Sequence, residues 1–90
     1  MQFDWDESNL RHLARHHVSR PEFEQAMQND PVFIEFNDET GEPRWYAVGA
    51  TVELRVLFLV YTFRDEKVRP ITGWDASREL TRQYFRSKRV

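Results

Sequence analysis

The chain has 90 residues, 40% of them hydrophobic and 14% aromatic, with no cysteine and a formal net charge of −2. This composition supports one domain, residues 1–90, and it excludes disulfides and thiolate metal sites, as a reducing cytoplasm would favour. Charge divides along the chain: Met1–Glu66 holds 13 acidic and 6 basic residues, Lys67–Val90 7 basic and 2 acidic, which disfavours general coating of nucleic acid but leaves a basic tail suited to a phosphate-bearing partner.

The opening residues Met1 to Asp6 hold neither a basic nor an apolar stretch, so no secretory signal is expected. No apolar run reaches the length of a membrane span. Phe3-Asp-Trp-Asp is short, alternating and aromatic, equally suited to a brief strand or an aromatic plug. Asp4 or Asp6 can cap a first helix running to about His16, with Leu10, Leu13 and Ala14 on its inner side. Ser19 and Glu22 have capping-box spacing and Pro21 suits a first turn, which predicts a second helix from Pro21 to Gln28 that buries Phe23, Ala26 and Met27. Val32 to Phe36 reads as a strand, Asn37 to Pro43 as a polar turn, and Arg44 to Thr51 as a second, antiparallel strand.

Leu54 to Phe63 is the only long, nearly uninterrupted apolar run. With the period of a strand, Val56, Phe58, Val60 and Thr62 point one way, and Leu57, Leu59, Tyr61 and Phe63 the other. Both faces are apolar, which predicts a central strand covered on both sides. Lys67 to Thr72 forms a last strand, and Pro70 places it at an edge or a bulge because it lacks a ladder donor. Gly73-Trp74-Asp75 breaks the extended run. Asp75 or Ser77 caps a final helix reaching about Ser87, with Leu80 and Tyr84 inward and Arg78, Arg82, Arg86 and Arg89 on the opposite side. The sum is an α+β fold: two N-terminal helices, an antiparallel sheet of three to four strands and a C-terminal helix.

Three kinds of residue could carry chemistry. His12 and His16 are four apart, a spacing that can bind zinc, but Leu13 stands where the zincin signature has Glu and no third ligand is evident. An imidazole also suits general acid or base work near neutral pH. Arg44, Arg55, Arg64 and Arg69 lie at or near strand ends and could meet over one rim of the sheet to grip a phosphate; salt bridging with the many carboxylates is the competing reading. The C-terminal arginine stripe is either a solvated face or a contact to an acidic protein or a nucleic-acid backbone. Trp45, Tyr46, Tyr61 and Trp74 are either core or platforms for unpaired bases. Three glycines and no P-loop, dinucleotide turn or Ser-His-Asp signature argue against nucleotide-cradling loops and serine hydrolysis.

The order of these motifs resembles the BrnT family, toxins of a bacterial type II toxin–antitoxin system. Phe3-Asp-Trp-Asp matches the family's Phe-x-Trp-Asp. Arg15-His16-His17-Val18-Ser19 aligns with its Lys-His-Gly-Val-Ser, and Phe23-Glu24-Gln25-Ala26 with its Phe-Glu-x-Ala helix. Gly41-Glu42-Pro43-Arg44, Val48-Gly49, Val60-Tyr61-Thr62-Phe63-Arg64, and Val68-Arg69 through Ser77, ahead of a helix with Arg82 and Tyr84, follow in the family's order. The departures are His12 for Asn, Arg15 for Lys, His17 for Gly, and Trp74 for a basic residue.

The resemblance implies a fold like that of the RelE ribonucleases and a ribonuclease that needs no metal or other cofactor. It also implies a DNA-binding antitoxin partner. RNA brings its own nucleophile, the 2′-hydroxyl, so the protein need supply only a base, an acid and cations for the phosphorane. On this reading His16 transfers the proton, and Arg15, Arg44, Arg64 and Arg69 form the cationic part of the catalytic set. Tyr61, Trp74 and Arg82 contact the RNA. The alternative is a toxin-like module that binds an antitoxin but cleaves weakly or not at all.

Overall fold

The computed structural model describes residues 1–39 and 41–88. Thr40 of the first polar turn and Arg89 of the arginine stripe lie outside the described residues. The elements are α1 (Glu7–Ala14), α2 (Arg20–Gln28), β1 (Val32–Asn37), β2 (Arg44–Ala50), β3 (Val56–Arg64), β4 (Lys67–Asp75) and α3 (Arg78–Ser87). The strands form one antiparallel meander in the order β1-β2-β3-β4. This is the α+β layout expected from the sequence.

Local chemistry sets the helix ends. Asp6 caps α1 and exchanges reciprocal bonds with Asn9: the Asn9 N–H donates to Asp6 Oδ1 at 2.9 Å and the Asp6 N–H to Asn9 Oδ1 at 2.8 Å. Asn9 also donates to the Asp4 carbonyl at 3.0 Å. Asn9, rather than Leu10 or Ala14, therefore joins Leu13 as a buried residue of α1. α1 stops before His16 because the chain closes in a Schellman motif, in which the Val18 N–H bonds the Leu13 carbonyl and the His17 N–H the Ala14 carbonyl, each at 3.0 Å. His17 takes the left-handed position with φ 57°, where a β-carbon costs roughly 1 kcal/mol relative to glycine. Ser19 and Glu22 form the expected capping box of α2.

The sheet divides the molecule. On one face Leu13, Val18, Phe23, Ala26 and Met27 pack on Ala47, Leu57, Leu59, Tyr61 and Val68, with Phe3, Trp5 and Trp45 against them. The N-terminal segment is thus an aromatic plug with a single bridge to the sheet: Phe3 bridges Val68 in parallel while Phe3 and Trp5 meet Phe23 edge-on. Gly49 lets α2 rest on β2, since a β-carbon there would lie 2.4 Å from the Ala26 carbonyl oxygen. On the other face α3 covers only Val48, Ala50, Val56 and their neighbours, through Tyr84 and Leu80. β4 continues to Asp75 instead of breaking at Gly73, whose bare backbone admits the Leu13 and Phe23 side chains. The central strand begins at Val56, after Leu54 turns through φ 67°. No helix among the described residues is long and apolar enough to cross a membrane.

Candidate active site

Next to the patch that α3 covers, the same face of the sheet carries an aromatic row. Tyr46 on β2, Phe58 on β3 and Trp74 on β4 share the α3 side; Phe58 pairs directly with Trp74 across the strands. Ring centroids are 5.8 Å apart for Tyr46–Phe58, 5.2 Å for Phe58–Trp74 and 5.6 Å for Trp74–His16. The row therefore runs across three strands and ends at an imidazole of the turn after α1.

That imidazole belongs to a cavity of about 290 Å³ lined by His12, Arg15, His16, Arg44, Ile71 and Thr72. A neighbouring cavity of about 190 Å³ is lined by Ser8, Asn9, His12, Glu42, Arg44, Arg69, Pro70 and Ile71. His12, Arg44 and Ile71 are common to both. The helical period puts His12 and His16 one above the other, and the packing of Leu13 on the far side turns them toward β4.

A bulge in β4 shapes the wall between the cavities. Val60 pairs with Thr72 and Tyr61 with Pro70, so Ile71 is the extra residue. Its carbonyl oxygen faces His12 Nδ1 at 3.3 Å. A carbonyl can only accept, so this contact selects the tautomer with the proton on Nδ1 and leaves Nε2 as an acceptor. Arg44 reaches both cavities with its Nε buried and without a hydrogen-bond partner. Among the described residues no carboxylate lies within ion-pair distance of Arg15 or Arg44. These two guanidinium groups are uncommitted, whereas a satisfied salt bridge would oppose anion binding.

The other residues singled out from the sequence lie elsewhere or are occupied. Arg69 lines the second cavity but donates to Asp6 Oδ2 at 2.6 Å and lies 3.5 Å from Asp4 Oδ2. The Asn9 N–H, then Arg69, hold the Asp6 carboxyl below its usual range. Arg64 is exposed and 3.7 Å from Asp4. Tyr61 is buried on the α1–α2 face, with Trp45 at 6.5 Å and Phe63 at 5.9 Å, and burial pushes its phenol up. Arg82 sits on α3, 3.7 Å from Glu79. Trp74 lies beside the first cavity, with its ring centroid 5.6 Å from that of His16. Arg55 is a structural hub: it bonds Glu22 at 2.9 Å, Asp75 at 2.7 Å and the His17 carbonyl at 2.8 Å.

Sequence reasoning weighed His12 chiefly as a zinc ligand. The signal for a role beside His16 was the four-residue spacing itself, and Pro70 was the signal for the bulge. Among the described residues no group of three or more His, Asp or Glu is arranged to hold a metal ion.

Fold and cavity together define a small antiparallel α+β protein with a cavity lined by two imidazoles and by two guanidinium groups that have no carboxylate partner among the described residues. A family model described as the ribonuclease toxin BrnT of type II toxin–antitoxin systems matches residues 5–79, and the chain belongs to that family. A type II toxin works with an antitoxin partner. No individually curated protein matches the sequence significantly.

Proposed function

We propose that residues 1–90 act as one metal-independent endoribonuclease unit that cleaves RNA by attack of the 2′-hydroxyl on the adjacent phosphorus. The observation that carries this reading is the cavity shared by His12, Arg15, His16 and Arg44. His12 Nε2, left as an acceptor by the Ile71 carbonyl, takes the 2′-hydroxyl proton. The 2′-oxygen bonds to phosphorus, and charge builds on the non-bridging oxygens, where Arg15 and Arg44 meet it. His16 in its protonated form gives a proton to the departing 5′-oxygen as that P–O bond breaks. The products are a 2′,3′-cyclic phosphate and a 5′-hydroxyl. Trp74 stacks a flanking base. Arg69 borders the second cavity and orders Asp4 and Asp6 rather than gripping phosphate. The partner expected beside this activity is a DNA-binding antitoxin.

The purified chain, freed of partner, should cleave RNA in the presence of EDTA and leave those two ends. His16→Ala, His12→Ala and Arg44→Ala should each lose at least about 100-fold, the lower range for general acid–base groups and oxyanion donors. Full activity in His16→Ala and Arg44→Ala with the fold intact would remove the assignment. A second reading, a partner-binding module with little catalysis, is favoured by the carboxylate pairing of Arg64 and Arg69. It predicts no cleavage by the parent chain alongside tight antitoxin binding.

A further inference from the structure

The outer side of α3 carries Arg78, Arg82 and Arg86, one per helical turn, around an open groove of about 590 Å³ that Thr81 and Phe85 complete. The inner side, Leu80 and Tyr84, is used in packing, so the arginines are not needed to attach the helix. Nor is the helix end loose. Lys88 ties it to Asp30 at 2.9 Å and lies 5.3 Å from the Tyr84 ring centroid. Only Arg82 has an acidic neighbour, Glu79 at 3.7 Å and exposed; among the described residues no carboxylate lies within ion-pair distance of Arg78 or Arg86. Residues 80–88 also fall beyond the part of the chain that the family match covers.

The geometry points to α3 as a backbone track for single-stranded RNA, holding phosphates outside the cavity. This inference names a subsite of the proposed ribonuclease and rests on that reading. Three observations favour RNA over an acidic protein. The ladder has a single period: residues four apart on a helix stand about 6 Å apart along its axis, comparable with successive phosphates of an extended strand. Phe85 is exposed beside the arginines, as a base-stacking ring would be. Trp74 stands on the α3 side of the sheet, and only three residues separate it from Arg78, so the end of the aromatic row and the start of the arginine ladder are joined by a short connection. The rest of the chain is acidic, and the two free guanidinium groups of the cavity engage one phosphate. Further phosphates therefore have to be held elsewhere, and α3 sets three arginines on one face, two of them, Arg78 and Arg86, without a carboxylate partner among the described residues.

The test is fluorescence polarisation with a labelled 12-nucleotide 2′-O-methyl RNA, which lacks the attacking hydroxyl, against the full chain. The triple variant Arg78→Gln, Arg82→Gln, Arg86→Gln should bind at least about tenfold more weakly, with a salt dependence of log affinity shallower by about 2, near 0.7 for each lost phosphate contact. With a cleavable RNA its KM should rise while kcat holds. An unchanged Kd and salt slope, with an unchanged circular dichroism spectrum, would overturn the inference. Loss of polyglutamate binding without loss of RNA binding would also overturn it and give the surface to an acidic protein. The two proposals fail separately: a parent that does not cleave, yet loses RNA affinity in the triple variant, ends the catalytic reading and keeps the track.

Discussion

Arg55 offers the sharpest test of how this fold holds its site. Its guanidinium forks onto Asp75, with Nε at 2.7 Å and Nη2 at 3.2 Å, while Nη1 reaches Glu22 at 2.9 Å and the His17 carbonyl at 2.8 Å. It thereby clamps the turn that carries His16 between the start of β3 and the end of β4. Asp75, then burial working against it, then Glu22 act on Arg55, and the net effect raises its pKa. Each charge-assisted bond is worth roughly 1.5–3 kcal/mol when sheltered. The side chains of Arg55, Glu22 and Asp75 are 26%, 31% and 67% exposed, so each contact is discounted toward the surface value of about 0–1 kcal/mol.

The bidentate fork and the bond to an otherwise unmet turn carbonyl bring the sum to about 2 kcal/mol for Arg55→Ala. With a urea slope of about 1–1.5 kcal/mol/M for a chain this size, the midpoint should fall by about 1.5 M at pH 7. The deficit should shrink toward acid. The Ser19 amide, and then Arg55, lower the Glu22 carboxyl, and Arg55 lowers that of Asp75. Their contribution is complete above the ordinary carboxylate range and is lost as pH falls through the lowered values. A variant within 0.5 kcal/mol of the parent at pH 7, or a deficit that grows on acidification, would refute the clamp.

Four other outcomes follow from the geometry. His17→Gly should stabilise the chain by about 1 kcal/mol in the same urea assay, because the left-handed corner then carries no β-carbon. Gly49→Ala should destabilise by about 3 kcal/mol, since the new methyl would sit on the Ala26 carbonyl and α2 cannot move without opening the core. Stability of the parent should fall as pH drops below the carboxylate range, and Asp6→Asn should flatten that fall, because Asp6 is stabilised in its charged form by the Asn9 N–H and Arg69. Ile71→Pro should strain the bulge and shift the backbone carbonyl that His12 Nδ1 faces, so the pH profile of cleavage should move while the circular dichroism spectrum holds; an unchanged profile would refute the role given to that carbonyl.

Much of this protein follows from local rules that one segment can satisfy alone. Ser19 and Glu22 cap α2 with bonds made within four residues, and the alternation from Val56 to Phe63 sorts its side chains to the faces they occupy in the structure. Pro70 announced the bulge because it lacks an amide hydrogen. The family, too, was legible, since its motifs are short runs in a fixed order.

What the sequence left open depends on partners far apart along the chain. Arg69 and Arg44 look alike as residues near strand ends. Only folding brings Asp6, 63 residues away, onto Arg69 and leaves Arg44 unpaired. Likewise, Tyr61 and Trp74 are both aromatic strand residues, and only the packed fold decides that one is sealed under α1 and α2 while the other borders an imidazole. Periodicity tells a side chain which face it takes. Which face stays open, and which charge finds a counter-charge, is settled by the helices that the whole chain lays over that sheet.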